Sequence, residues 1–308
     1  MSQNFADIEN FTQFFRRKIE PKLHSFEKQR KRTLLLCNIT LVIGVILQLF
    51  FLFAFFTSSN SNSNSIELLF APAVITGVIH TFIKKKYTKK VKAKIFNAIF
   101  SFLGDFTYIE KNEYIVDRSK YEQIPMIGKF NREPDIDDYI RGTYKNLPIE
   151  IEELYLRYVY HSNKHHHEET VFDGLLVTVP QLKTTNATII TANRKFHDIE
   201  QLKDEVKLED VEYQKIYKTS SDNQIEARYI LTPKLMEKLK SLNSKGITTA
   251  LCFIRGDIYI GIKTGKDMFE PSITKPATDI SSYKDIINQL KETLQIIDIL
   301  QLEKKAIL

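Results

Sequence analysis

Residues 34–56 read LLLCNITLVIGVILQLFFLFAFF. From Leu34 to Phe56 no side chain is charged, and only Asn38, Thr40 and Gln48 are polar. As a helix these residues extend roughly 34 Å, enough to cross the hydrocarbon core of a bilayer. A second apolar run, Ile66 to Ile83, carries Glu67 at its start and Pro72, Gly77 and His80 inside. Thr57 to Ser65 joins the two and contains only Thr, Ser and Asn. The pattern predicts a transmembrane helical hairpin with spans 34–56 and 66–83. A cleavable signal peptide has a shorter apolar core nearer the N-terminus. For the second run alone, the rival reading is a buried soluble helix.

The flanks set the orientation. Lys28, Arg30, Lys31 and Arg32 precede the first run, and Lys84, Lys85, Lys86, Lys89, Lys90, Lys92 and Lys94 follow the second. The connecting loop has no basic residue. The positive-inside rule then predicts a multi-pass protein of the cytoplasmic (inner) membrane, with both termini and the bulk of the chain in the cytoplasm. The lysines would also meet the anionic inner leaflet, so the lipid bilayer is an expected partner.

Charge divides at the same place. Residues 1–94 hold 15 basic and 5 acidic side chains, a net of +10; residues 95–308 hold 29 and 33, a net of −4. The net charge of +6 therefore does not describe the larger part of the chain. A nucleic-acid reading wants a basic face on that part, which its balance excludes. The hydrophobic fraction of 43% excludes a disordered or fibrous chain, and a mean hydropathy of −0.24 argues against many spans. Cys37 and Cys252 have neither a CxxC context nor a histidine beside them, so both read as small packing residues.

Before the membrane, Phe5, Ile8, Phe11, Phe15, Ile19, Leu23 and Phe26 recur at helical spacing, with a kink expected at Pro21. After it, Val91, Ile95, Ile99, Phe102 and Phe106 make a second stripe. The two are expected to pack on each other as a stalk; the rival is that both lie on the membrane surface. This gives a cytoplasmic amphipathic helix at 1–33, the hairpin at 34–83, a basic juxtamembrane helix at 84–104 and a cytoplasmic domain at 105–308.

Within that domain, strands are expected at 106–109, 114–116, 171–179, 188–191 and 213–218. A short helix is expected over 119–127. Residues 138–144 and 147–160 read as a hairpin with a bulge at Glu152-Glu153. Asp222 is an N-cap for a short helix, and Thr232-Pro233 starts another that Gly246 ends. Arg255-Gly256-Asp257 is a tight turn between strands 247–254 and 258–262. An amphipathic helix over 279–302 closes the chain. Strands and helices do not alternate regularly, which predicts an α+β domain with a mainly antiparallel sheet and packed helices.

Two clusters carry chemistry. His161, His165, His166 and His167, with Glu168 and Glu169, are of metal-ligating type. Consecutive residues of a strand point to opposite faces, so the run suits a solvated loop between strands better than one ion site. Glu226 and Arg228 could grip a ligand as an ion pair, or pin two capped helices to the sheet. Phe269-Glu270-Pro271 reads as a rigid connection. The chain has no Walker A loop, no GxGxxG after a strand, no GxSxG and no kinase motif set. No catalytic residue and no cofactor is expected.

Three stretches, Val171-Phe172-Asp173-Gly174, Asp222 to Pro233 (DNQIEARYILTP) and Asp267-Met268-Phe269-Glu270-Pro271, resemble a bacterial family of membrane proteins catalogued as domain of unknown function 3137. The resemblance implies the order N-terminal helix, two-span hairpin, cytoplasmic domain, and a bacterial inner-membrane location. It carries no activity and no catalytic residue. The expected function is a membrane-anchored, non-enzymatic binding or scaffold module with a protein partner. The alternative is an enzyme of unrecognised type, such as a metal-dependent hydrolase using the histidine cluster. A third reading is an accessory subunit of a transport or envelope assembly.

Overall fold

The computed structural model describes residues 8–57, 64–111, 113–162, 165–180, 186–192, 204–265 and 267–300. Phe5, Leu302 and most of the expected connecting loop lie outside these residues. The chain divides into two compact units. One comprises Ala6–Phe102 and Glu270–Ile286; the other comprises Leu103–Phe269 and Ile287–Leu308, together with Met1–Phe5. The stretch 270–286, expected in the C-terminal domain, thus groups with the N-terminal helices.

The helical unit starts with α1 (Ile8–Phe14), a single π turn (Phe15–Ile19) and α2 (Glu20–Thr57). In place of a kink at Pro21 there is this widened turn, in which the Glu20 N–H reaches back to the Phe15 carbonyl. Proline has no N–H, and its ring crowds the carbonyl four residues before it; a π turn just upstream relieves that crowding. Then α3 (Asn64–Leu103) follows. The two aromatic stripes meet: the Phe102 ring lies 5.1 Å from Phe11 and 5.2 Å from Phe14, centroid to centroid. Phe15, Ile19, Leu23, Val91, Ile95 and Ile99 are all buried.

Among the described residues the sheet unit is an α+β fold on nine strands, in spatial order β1-β2-β3-β4-β9-β8-β5-β7-β6, and every pairing is antiparallel. The strands are β1 (Asp105–Ile109), β2 (Asp135–Tyr144), β3 (Leu147–Ser162), β4 (His165–Pro180), β5 (Thr188–Ala192), β6 (Asp204–Glu205), β7 (Tyr217–Ser221), β8 (Thr248–Ile254) and β9 (Asp257–Lys263). The helices are α4 (Arg118–Glu122), α5 (Val211–Ile216), α6 (Gln224–Ile230), α7 (Pro233–Ser244) and α8 (Ile280–Leu300), whose first turns belong to the helical unit. Residues 213–216, expected in a strand, are helical, and 114–116 form no strand.

One row of the sheet runs Tyr108–Ile140–Ile151–Val177–Ile260–Leu251–Ile190–Thr219, each a direct cross-strand neighbour of the next. All eight are buried. On this face, Tyr217 donates to the Leu239 carbonyl of α7 (3.0 Å) and Tyr144 to Asp298 of α8 (2.8 Å). The opposite face carries Leu154, Leu156, Phe172, Leu176, Ala250 and Cys252, covered by Tyr121 of α4 and by Ile124, Met126 and Phe130 after it.

The expected bulge at Glu152-Glu153 lies instead on the partner strand. Ile136 faces Leu154 and Tyr139 faces Glu152, so Asp137 and Asp138 together oppose Glu153. The apparent slip in β3 has another cause. Leu147, Ile149 and Ile151 are buried on one face, then Glu152, Leu154 and Leu156 on the other. The strand stays regular while the face that is covered by helix changes.

Candidate functional site

Among the described residues four places collect exposed or ionisable side chains, and the apolar stretches of α2 and α3 come first. One helix among the described residues, Asn10–Thr57, is long and apolar enough to cross a membrane. Leu35, Val42, Val45, Ile46, Leu49 and Phe53 of α2 are exposed. So are Phe70, Val74, Ile75, Val78, Ile79 and Phe82 of α3. The two helices touch where Gly44 faces Thr76: a Cβ at 44 would run into the Thr76 side chain. Gln48, the one long polar side chain of the apolar run, donates its amide to the Leu69 carbonyl of α3 (2.8 Å), while its buried Oε1 has no hydrogen-bond partner among the described residues. The donated bond matters wherever water is absent, since an unsatisfied polar group there costs several kcal/mol.

Beside the apolar zone is a charged junction. Arg30 is 6% exposed and grips Glu27 through two nitrogens at 2.7 and 2.8 Å. Its remaining terminal nitrogen donates to the Ile273 and Thr274 carbonyls (3.0 and 3.4 Å), and Glu27 accepts from the Ala277 N–H (2.8 Å). Buried Lys92 pairs with Glu270. The strap 270–279 is thereby fixed to both α2 and α3. The Arg30 hydrogen bonds hold the Glu27 carboxyl down at about 2, with the Ala277 N–H adding to the effect against the upward push of burial. Arg30 and Lys92, read from sequence as two more basic flank residues, are therefore consumed inside the fold.

The second place is the end of the β3–β4 hairpin. The histidine run lies in strand, not in a loop: β3 continues to Ser162 and β4 begins at His165. His161 stands opposite His166, ring centroids 5.2 Å apart, and His167 stacks on Tyr160, also at 5.2 Å. Strand alternation sends these two pairs to opposite faces. The His165 backbone pairs with Ser162; its side chain lies outside the described residues. Among the described residues no group of three or more His, Cys, Asp or Glu side chains is placed to hold a metal.

The third place is α6. Asn223, rather than Asp222, caps it, accepting from the Ile225 and Glu226 N–H groups (3.0 and 3.1 Å). Glu226 does not take Arg228 as its partner; Asn186 donates to it at 2.6 Å. Ala227, Ile230 and Leu231 are buried, and Thr232 caps α7 with Pro233 in its first turn. Left outward are Arg228, Ile225 (82% exposed) and Tyr229 (69% exposed).

A fourth cluster has no sequence signal. Lys120 of α4 bridges Glu150 (3.3 Å) and buried Glu152 (2.8 Å), Tyr121 donates to Glu152 (2.9 Å), and Arg141 donates to Glu150 (2.9 Å) and to the Tyr139 hydroxyl (2.7 Å). Burial pushes the Glu150 carboxyl up, but the Lys120 and Arg141 charges outweigh it and leave it below its ordinary value. In an alternating strand, Glu150 and Glu152 read as solvent-facing; only the docking of α4 covers them.

Residues 170–302 match the family model described as Protein of unknown function (DUF3137). The resemblance read from the three motifs therefore holds from β4 to the end of α8, and the structure explains most of those motifs as architecture. Leu156 faces Phe172 and Arg157 faces Thr170, so Val171 is the extra residue of a bulge. Gly174 sits at φ +155°, where a Cβ would meet the Ile262 carbonyl of β9. The Met268 N–H donates to Glu153 and the Phe269 N–H to Gln289, both at 2.6 Å. No curated protein matches the chain. A solved structure titled as the mycobacterial trehalose monomycolate transport factor A, TtfA, covers 70% of this chain and 94% of its own at a TM-score of 0.33 and 8% identity. A likeness at that level carries no argument.

Proposed function

We propose that the protein is a multi-pass membrane anchor for a cytoplasmic α+β binding module. The observation that carries this is the exposed apolar belt shared by α2 and α3, from Leu35 to Phe56 and from Phe70 to Phe82. Large contiguous apolar surfaces on water-exposed helices are unfavourable, whereas lipid covers them at no cost. In this reading both helices span the inner membrane as a hairpin, the segment around residue 62 lies outside, and the basic residues that remain exposed face the anionic leaflet.

The sheet unit then presents its surface to the cytoplasm, and α6 is the face that serves a protein partner. Ile225, Arg228 and Tyr229 are the parts of the DNQIEARYILTP motif that the fold itself leaves unused. Tyrosine and arginine are the residue types that anchor interfaces. A photo-crosslinking residue at 225 or 229 should yield one discrete adduct in membranes, and the same residue at exposed Ile115 should not. Equal or no adducts at all three positions would remove α6 as the binding face.

A further inference from the structure

We propose that the end of the β3–β4 hairpin is a two-imidazole site for a late first-row divalent ion, Zn²⁺, Ni²⁺ or Cu²⁺, held by His161 and His166. The register sets the two residues directly across from each other, on the same face of the hairpin, with ring centroids 5.2 Å apart. An imidazole nitrogen binds Zn²⁺ at about 2.0–2.1 Å, which puts the ion about 3.2 Å from the ring centre. Two such rings meeting at a tetrahedral angle have centres about 5.2 Å apart. The pair therefore already has the separation of a tetrahedral bite, and neutral imidazole is a ligand that suits these ions.

The neighbouring side chains have other engagements. His167 points to the opposite face, stacked on Tyr160. Glu168 shares the face of His166 but accepts from Arg157 at 3.0 Å. Two protein ligands leave coordination positions for water or for a donor from a second molecule. The location suits such a donor. Pairing with β2 stops at Tyr155 and pairing with β9 starts at Gly174, so both histidines stand on an arm beyond the neighbouring strands. Both are exposed. The site does not depend on the membrane reading and can fail without it.

The test is calorimetric titration of the untagged, detergent-solubilised full chain with ZnCl₂ and with NiCl₂. The expected result is one ion per chain. His161→Gln and His166→Gln should each weaken binding by about tenfold or more, while His167→Gln leaves it unchanged. His161→Cys, which restores a ligand at the same position, should recover binding of Zn²⁺. Absence of stoichiometric binding, equal affinity in His161→Gln, or loss of binding in His167→Gln would each overturn the assignment.

Discussion

Arg30 shows how one side chain can change meaning between sequence and structure. In sequence it is one of four basic residues before an apolar run; in the fold it is buried, with Glu27 and two strap carbonyls as partners. Replacing it with Met strands Glu27 and frees two carbonyls. Hydrogen bonds to charged groups contribute about 1.5–3 kcal/mol each way of counting, so a loss of about 2 kcal/mol is expected, read as a lower thermal midpoint in detergent. Glu27 supplies a pH signature. Its carboxyl is lowered from 4.5 to about 2 in the fold, so its contribution is complete above about pH 4.5 and fades as pH falls toward 2. Protection of the Ala277 amide should weaken across that window, and Glu27→Gln, which cannot titrate, should remove this pH dependence. Gly174→Ala meets both a positive φ and the Ile262 carbonyl, and should cost about 2 kcal/mol. The histidines were visible as a cluster in sequence, and strand parity already argued that they could not act together. That His161, not His165 or His167, faces His166 required the register.

At the scale of elements, the helices were the most legible part. The long apolar run, the stripes from Phe11 to Leu23 and from Val91 to Ile99, and the Thr232-Pro233 start of α7 appear where their spacing placed them, whereas Phe106 of the second stripe lies in β1 and the helix expected over 119–127 stops at Glu122. The reason is that a helix writes its buried face every three to four residues, and a capping residue marks its end. The sheet was less legible because β3 is covered on one face in its first half and on the other in its second. A pattern reader interprets that switch as a bulge. The Lys120–Glu150–Glu152 network was invisible for the same reason: what covers a strand is not written in the strand. The contact of α2 with α3 gives a direct test of this scale. Gly44→Leu would drive a side chain into Thr76 and should lower the midpoint of the full chain by an amount equivalent to about 1–3 kcal/mol. An unchanged midpoint would mean that the helices do not approach each other at Gly44.

For the whole molecule, the described part of the chain passes between its two units after Phe102, after Phe269 and after Ile286. The strap 270–286 thus belongs to the helical unit although it lies between β9 and the body of α8. If the helical unit is the membrane unit, this strap is a covalent and ion-paired extension of it into the C-terminal half of the chain. All of this rests on α2 and α3 both crossing the bilayer in opposite directions. The most direct measurement places a reporter that is active only outside the cytoplasm at two positions, inserted near residue 62 and fused after Leu308. The reporter should be active near residue 62 and silent after Leu308. An active reporter after Leu308 would contradict the cytoplasmic placement of the sheet unit, and, with an active one near residue 62, would mean a single crossing and contradict the hairpin as well.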